Sequence, residues 1–228
     1  MNIQTIRQNS LSMARHWGYP TNPLLPLLDP MFSLRPTDEI VDRILILYVL
    51  RLVSQRFSPI RGIKWLRREK LFDSLLSSEL SLLKEERPWT LDDLIQLDSA
   101  LSLNWGVSII NQLSWTDRYQ ENSGQENLLK LMPNIGIGKR SAKFRKRAKI
   151  RRKEEFYIVL DMAYVIHWGI THVNNHNLHR NDWGDLVPFG PVNFIEQRRA
   201  LEWIASDMPW GEVNIGDMHS AVPNPRST

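Results

Sequence analysis

Three histidines in the second half of the chain have the spacing of metal ligands. His172, His176 and His179 are separated by four and three residues, and Asp182 follows closely. On a helix these imidazoles would share one face, and with a carboxylate they could hold zinc. The stretch NNHN at 174–177, however, is typical of a helix end, which would scatter the rings into a loop. We therefore expect no bound metal and no cofactor, and keep a metal site at these histidines as an alternative.

A second candidate set could supply acid–base groups and consists of Asp161, His167, Arg198 and Arg199. Asp161 and His167 are six residues apart, so a helix would point them in different directions. His167 also continues an apolar stripe, where a buried, hydrogen-bonded histidine is the ordinary interpretation. The sequence offers no nucleophile for them, since it has no Cys and no GxSxG turn. We interpret the four residues as a structural polar network and predict no catalytic residue.

The segment KRSAKFRKRAKIRRK, residues 139–153, concentrates the positive charge of the chain. It holds ten of the 29 Lys and Arg, which leaves 19 basic against 25 acidic residues elsewhere, a net charge of −6. Such a run could bind the phosphate backbone of nucleic acid. Phe144 is its one aromatic, however, whereas single-strand binding usually relies on several stacking rings. We favour an acidic protein partner. The candidate partner-binding residues are Lys139, Arg140, Lys143, Arg145, Lys146, Arg147, Lys149, Arg151 and Arg152.

Composition and length indicate one globular domain, residues 1–228, with 42% hydrophobic residues for a core. The lack of Cys excludes disulfides and thiolate zinc sites, and it suits a reducing compartment. The first ten residues, MNIQTIRQNS, have no apolar core of a signal peptide, and the longest apolar run, 44–50, is too short for a bilayer. We expect a cytoplasmic protein that does not contact membranes.

Apolar residues recur every three or four positions in most of the chain, and no stretch alternates as a strand would. Thr90 with Asp93, and Asn193 with Glu196, resemble helix-capping pairs. The pattern 154–173 carries one continuous stripe from Phe156 to Ile170, and the pattern 63–84 opens with a basic face. We predict an all-α fold, a single compact multi-helix domain. The expected helices cover about 3–17, 37–57, 63–84 (in one piece or two), 90–113, 154–173 and 193–208.

Residues 132–153 are expected to form a flexible basic loop or arm, which the Gly- and Pro-containing stretch MPNIGIGK precedes. A phosphate loop is not expected here, because Arg140 follows Lys139 where that motif has Ser or Thr, and Pro133 replaces its first Gly. Glu154 and Glu155 favour a helix start immediately after the arm, since acids stabilise helix N-termini. Residues 218–228 are expected to be a disordered tail.

Several segments, in this order, resemble a bacterial domain-of-unknown-function family numbered 4272. They include GYPTNPLLPLLDP, LDSALSLNWGVSIINQL and, as the most specific parts, DxxYxxHW from Asp161 and RRALxW from Arg198, with Trp210 and an acid after it. The resemblance covers most of the chain. It implies a mostly helical, soluble bacterial protein and no activity. The chain departs from the family pattern at Val165, where Arg is usual, and in HNLHRNDWGDLVPFG at 176–190.

These observations lead us to expect a non-enzymatic interaction protein. Its most concrete form is a bacterial immunity or antitoxin protein that binds and blocks a toxin domain carrying a complementary charged surface. A protein that binds nucleic acid through 139–153 is the alternative. A metal-dependent enzyme at His172, His176 and His179 is a further one.

Overall fold

A computed structural model of the chain describes residues 2–97, 99–111, 113, 130–175, 191–213 and 215. These residues form helices joined by turns, with no strand among them, so the predicted all-α fold is confirmed. No helix within the described ranges is long and apolar enough to cross a membrane. The α-helices are α1 Ile3–His16, α2 Thr37–Ser54, α3 Pro59–Arg68, α4 Ser77–Leu83, α5 Leu91–Gln96, α6 Ser99–Gly106, α7 Ala142–Arg147, α8 Lys153–Asn175 and α9 Pro191–Ile204.

The chain divides into two compact units. Unit 1 comprises Met1–Leu34 and Arg151–Thr228, and unit 2 comprises Arg35–Ile150. Unit 1 is therefore built from both ends of the sequence, whereas unit 2 is one continuous stretch.

In unit 1, helix α8 packs against both α1 and α9. Helix α1 begins where the Asn2 side chain accepts a hydrogen bond from the Thr5 amide, 3.1 Å away. The predicted stripe of α8 is buried from Phe156 to Ile170. Gly169 allows the segment that contains Pro20 to pass close to α8, because a Cβ at this position would lie 2.7 Å from the Pro20 carbonyl oxygen.

In unit 2, helix α2 is buried along most of its length and packs against α3, α4 and α6. Gly62 of α3 makes a close approach possible, since a Cβ there would lie 2.9 Å from a Val49 methyl of α2. Ser58 caps α3, and Pro59 occupies its first turn, where the missing N–H has no cost. A buried ion pair joins Arg43 of α2 to Glu79 of α4.

Two predicted helices are shorter in the structure than the sequence indicated. The pattern 63–84 is broken after α3, where Lys70 adopts a left-handed conformation with φ 63°, and a 3₁₀ turn at Phe72–Ser74 precedes α4. The pattern 90–113 contains α5 and α6, and it stops being helical at Gly106, before Ser108 with φ 56°. A left-handed residue ends a helix whatever the apolar spacing around it.

The capping predictions had different outcomes. Thr90 and Asp93 form the predicted capping box, with Thr90 N donating to Asp93 Oδ2 at 2.8 Å and Asp93 N donating to Thr90 Oγ1 at 3.2 Å. Helix α9 begins at Pro191, so Asn193 lies in its first turn and the prediction that Asn193 is the cap is wrong. This helix ends at Ile204, four residues earlier than predicted.

Candidate functional site: a basic surface and a buried polar cluster

The basic segment packs against α3 and is not a free arm. A 3₁₀ turn, Ile135–Ile137, leads to helix α7, whose Phe144 side chain is 3% exposed. Ser141 donates through N and Oγ to Glu69 Oε2, at 3.2 and 2.5 Å, and Lys149 N donates to Val107 O at 3.0 Å. The segment 132–153, which the sequence predicts to be a flexible loop or arm, thus contains a 3₁₀ turn and a short helix that make these contacts.

The sequence contained the signal for this packing. Ser141, Phe144 and Ala148 are buried and follow one another by three and four residues, the spacing of one helical face. The cations between those positions are exposed, and their high density alone is typical of a solvated arm. A run with this spacing is better interpreted as a short amphipathic helix.

The cations of the run divide by their partners. Arg145 pairs with Asp42 at 2.5 Å, while Arg151 and Arg152 pair with Glu155 at 3.3 and 2.7 Å. Arg151 and Arg152 belong to unit 1, whereas the cations at 139–149 belong to unit 2. Six exposed cations make no ion pair with any described residue: Lys139, Arg140, Lys143, Lys146, Arg147 and Lys149.

Helix α3 adds further exposed cations next to this segment. Arg61 donates to the Gly136 carbonyl, and Arg68 Nη2 donates to the Gly138 carbonyl at 2.9 Å. Trp65 Nε1 donates to the Lys139 carbonyl at 2.8 Å. We call the basic surface the six cations above together with Arg61, Lys64 and Arg68. The basic face of α3 was visible in the sequence, but its placement beside the run was not.

An open cleft of about 600 Å³ lies between α3 and the 3₁₀ turn. Its walls combine cations with apolar groups. The lining residues are Arg61, Lys64, Trp65, Arg68 and the turn residues 135–138. Ile137 at this cleft is 70% exposed, and Ile60, next to Arg61, is 79% exposed. Two large apolar side chains that are not packed in the core thus lie next to cations of the basic surface.

In unit 1, Asp161 is paired with a residue that sequence reasoning missed. Arg7 Nη2 lies 2.7 Å and Nε 3.0 Å from Asp161 Oδ1, and the two side chains are 2% and 0% exposed. Arg7 also donates to the carbonyls of Leu25 at 2.7 Å and Pro26 at 3.0 Å. No sequence signal linked Arg7 to Asp161, because 154 positions separate them.

His167 has a different partner, Arg198 of α9. An arginine always donates, so His167 Nδ1 accepts this hydrogen bond and the neutral ring carries its proton on Nε2. Burial, and secondarily the charge of Arg198, lowers the pKa of His167 to about 3. Arg198 Nη2 is also paired with Glu202 at 3.0 Å. His167 is therefore neutral at ordinary pH, and its one ring proton is on Nε2.

Tyr164 connects the two pairs. Its ring centroid lies 5.4 Å from the Arg7 guanidinium carbon and 5.3 Å from that of Arg198, within range of cation–π attraction. We call Arg7, Asp161, Tyr164, His167 and Arg198 the polar cluster. Because its members are buried and engaged with one another, the arrangement holds α1, α8 and α9 together.

Arg199 stands apart from this cluster. Its guanidinium pairs with Glu196 at 2.7 Å, donates to the Trp210 carbonyl at 3.1 Å and lies 4.4 Å from the Trp210 ring centroid. Trp210 in turn packs edge-on against Trp203 at 5.1 Å. Arg199 thus fastens the 3₁₀ turn Trp210–Glu212 to α9. The four polar residues that the sequence grouped are divided among three sets of contacts.

The proposed metal ligands are only partly within the described residues. His172 lies on α8, but its side chain is not among those described, and His176 and His179 fall outside the described ranges, as does the predicted tail 218–228. Among the side chains that are described, no three His, Asp or Glu are placed to hold a metal ion.

The sequence matches the model of the domain of unknown function DUF4272 over residues 7–213. The chain belongs to this family. The DUF4272 match extends through both units, and it includes every residue of the polar cluster and of the basic surface. No curated protein and no solved structure matches the sequence. Val165, which stands where the resemblance led us to expect Arg, is fully buried in α8.

Proposed function

We propose that this chain is a non-enzymatic interaction protein whose basic surface binds an acidic surface of another protein. In its most concrete form it is a bacterial, cytoplasmic immunity protein that binds a toxin domain and blocks it. The observation that carries the proposal is the basic surface itself, where six exposed cations make no ion pair with a described residue and Ile137 is exposed on the same segment.

The anchoring of the segment supports a binding role. Phe144, Ser141 and the hydrogen bonds from α3 fix the backbone that carries the cations. A partner would therefore meet charges on a formed scaffold and would lose less conformational entropy than with a disordered arm. Unpaired surface charges of one sign also accelerate encounter with an oppositely charged partner.

The mixed chemistry of the surface favours a protein over nucleic acid. Protein interfaces have an apolar centre surrounded by polar groups, and Ile60 and Ile137 would provide such a centre. Nucleic-acid surfaces that grip single strands instead use exposed aromatics. The aromatics of this surface, Trp65 and Phe144, are buried. Binding to the phosphate backbone of a duplex remains the second candidate, because six unpaired cations suffice for it.

The test is a growth-protection assay. The chain is co-expressed with each product of the genes adjacent to its own, and we expect one product that arrests growth alone and is neutralised, with a complex that co-purifies. The charge-reversal variant Lys143→Glu, Lys146→Glu, Arg147→Glu should lose both effects.

The matched control reverses the same number of charges elsewhere in unit 2, at Arg56, Lys84 and Lys130, all of which are exposed. This control should protect as the unchanged chain does. If no neighbouring product binds, or if both triple variants behave alike, the proposal fails. Retention of the unchanged chain on a DNA duplex at low salt, lost in the first variant only, would favour the second candidate instead.

A further inference from the structure

The cleft beside the basic surface has a regular arrangement of cations on one wall. Arg61, Lys64 and Arg68 follow one another by three and four residues, so they lie along a single face of α3. Residues 135–138 of the turn also line the cleft, and the Ile137 side chain among them is 70% exposed. The three cations therefore line one open cleft.

The three cations differ in what they already bind. Arg61 and Arg68 donate to the carbonyls of Gly136 and Gly138. Arg61 also lies over the Phe57 ring, 5.3 Å from its centroid, and Arg68 lies 3.5 Å from a Glu69 oxygen. Lys64 stands between them and makes no ion pair with a described residue. Of the three cations, the Lys64 ammonium is therefore the one available to bind a ligand.

We propose that this cleft is the anchor point for an acidic and aliphatic segment of the protein partner, with a carboxylate on Lys64 and an aliphatic side chain on Ile137. This inference rests on the proposed function, since it names the part of the partner that the basic surface would recognise. Arg61 and Arg68 act by holding the turn in place and by adding positive potential to the cleft.

A carboxylate with an aliphatic neighbour fits the cleft better than a phosphate does. Proteins that select phosphate usually present free arginine forks, which bind two oxygens at once. Here both forks already donate to backbone carbonyls, and the remaining cation is a lysine, which acts as a point charge. A phosphate would not bury the exposed apolar surface of Ile137 favourably, whereas contact with an aliphatic side chain removes that surface from water.

Trp65 provides a local reporter for the test. Trp65 lines the cleft and its indole N–H donates to the Lys139 carbonyl, so a ligand in the cleft should shift that resonance in a ¹⁵N spectrum of the full chain. The probes are two amidated twelve-residue peptides of equal charge, one repeating Glu-Glu-Leu and one repeating Glu-Glu-Ser, and a DNA duplex. A Trp65→Phe variant assigns the signal.

We expect the Glu-Glu-Leu peptide to shift the Trp65 signal saturably, and the Glu-Glu-Ser peptide to bind several-fold more weakly. Lys64→Glu should weaken the first peptide roughly tenfold, because it reverses the charge that the carboxylate meets. Ile137→Ser should remove most of the difference between the peptides. Lys84→Glu, on an exposed lysine outside the cleft, should change neither affinity.

Equal binding of the two peptides, or a Trp65 shift that the DNA duplex produces as strongly as the first peptide, would overturn the inference. The protection assay separates this failure from that of the proposed function. If the triple reversal at Lys143, Lys146 and Arg147 abolishes protection while Lys64→Glu and Ile137→Ser leave it intact, the interaction role stands and the anchor point is wrong.

Discussion

The polar cluster of unit 1 and the basic surface of unit 2 use the same residue types in opposite ways. In the cluster, Arg7 and Arg198 are buried and their charges are matched by carboxylates. On the basic surface, lysines and arginines are exposed and most have no carboxylate partner in the described structure. Burial makes a charge dependent on its partner, whereas exposure leaves it available to another molecule. We therefore expect the first region to contribute to stability, and we propose the second as a surface for recognition.

The largest expected effect comes from removing one charge of the cluster. Asp161→Asn leaves the Arg7 guanidinium buried without its anion, and we expect the free energy of unfolding to fall by about 3–5 kcal/mol. Urea denaturation measures this change.

The matched control removes both charges, as Arg7→Met with Asp161→Leu. Because this double variant leaves no buried ion alone, it should lose less stability than Asp161→Asn. A single-variant loss below about 1 kcal/mol would show that the pair is not as dehydrated as the structure indicates.

The next prediction concerns the buried Phe144 ring, which we expect to stabilise the segment that carries the cations. Phe144→Ala removes the buried ring of α7, and we expect a loss of about 3 kcal/mol in the stability of the segment. Amide hydrogen exchange of residues 141–148 should accelerate, while that of the polar cluster should not. Lys143→Ala, on the exposed side of the same helix, should leave exchange unchanged. Equal exchange in both variants would restore the picture of a free arm.

A third effect follows from the lowered pKa of His167. The folded value is about 3 and the unfolded value is 6.5, so below pH 6.5 the unfolded chain takes up a proton that the folded chain excludes. Stability is therefore full above pH 6.5 and falls by about 1.4 kcal/mol per pH unit as the pH decreases toward 3.

Comparison with His167→Gln isolates this contribution, since every other group titrates in both proteins. Arg87 lowers the pKa of Asp93, but that carboxylate affects stability only below pH 3.8, its ordinary value. Urea midpoints between pH 4.5 and 6.5 thus separate the two groups. Parallel pH profiles for the two proteins would mean that His167 is not buried as a neutral ring.

The smallest expected effect is on the basic surface. Lys146→Gln with Arg147→Gln should change the free energy of unfolding by less than about 0.5 kcal/mol per residue, because neither side chain has an ion pair within the described chain. The same variant should elute from a heparin column at lower salt. A large loss of stability would show that these cations have a structural role, and the contrast with the cluster would disappear.

How well each region can be predicted from the sequence depends on how far apart the interacting residues are along the chain. The stripe of α8 and the Thr90–Asp93 box involve neighbours within a few positions, and periodicity and cap chemistry are enough to find them. The Arg7–Asp161 pair and the placement of α3 beside the basic segment join residues 154 and about 70 positions apart. Local patterns carry no information about such pairs, so the Arg7–Asp161 pair and the cleft were visible only in three dimensions.

The pairing of Arg7 with Asp161 also affects the order in which the two units can fold during synthesis. Unit 2, residues 35–150, lies wholly between the two halves of unit 1, so the ribosome completes it first. Helix α1 leaves the ribosome long before Asp161 exists. At ordinary translation rates the separation of 154 positions corresponds to a delay of roughly 10–30 s. During that interval the apolar face of α1 has no partner from α8, and a nascent-chain chaperone would find it exposed.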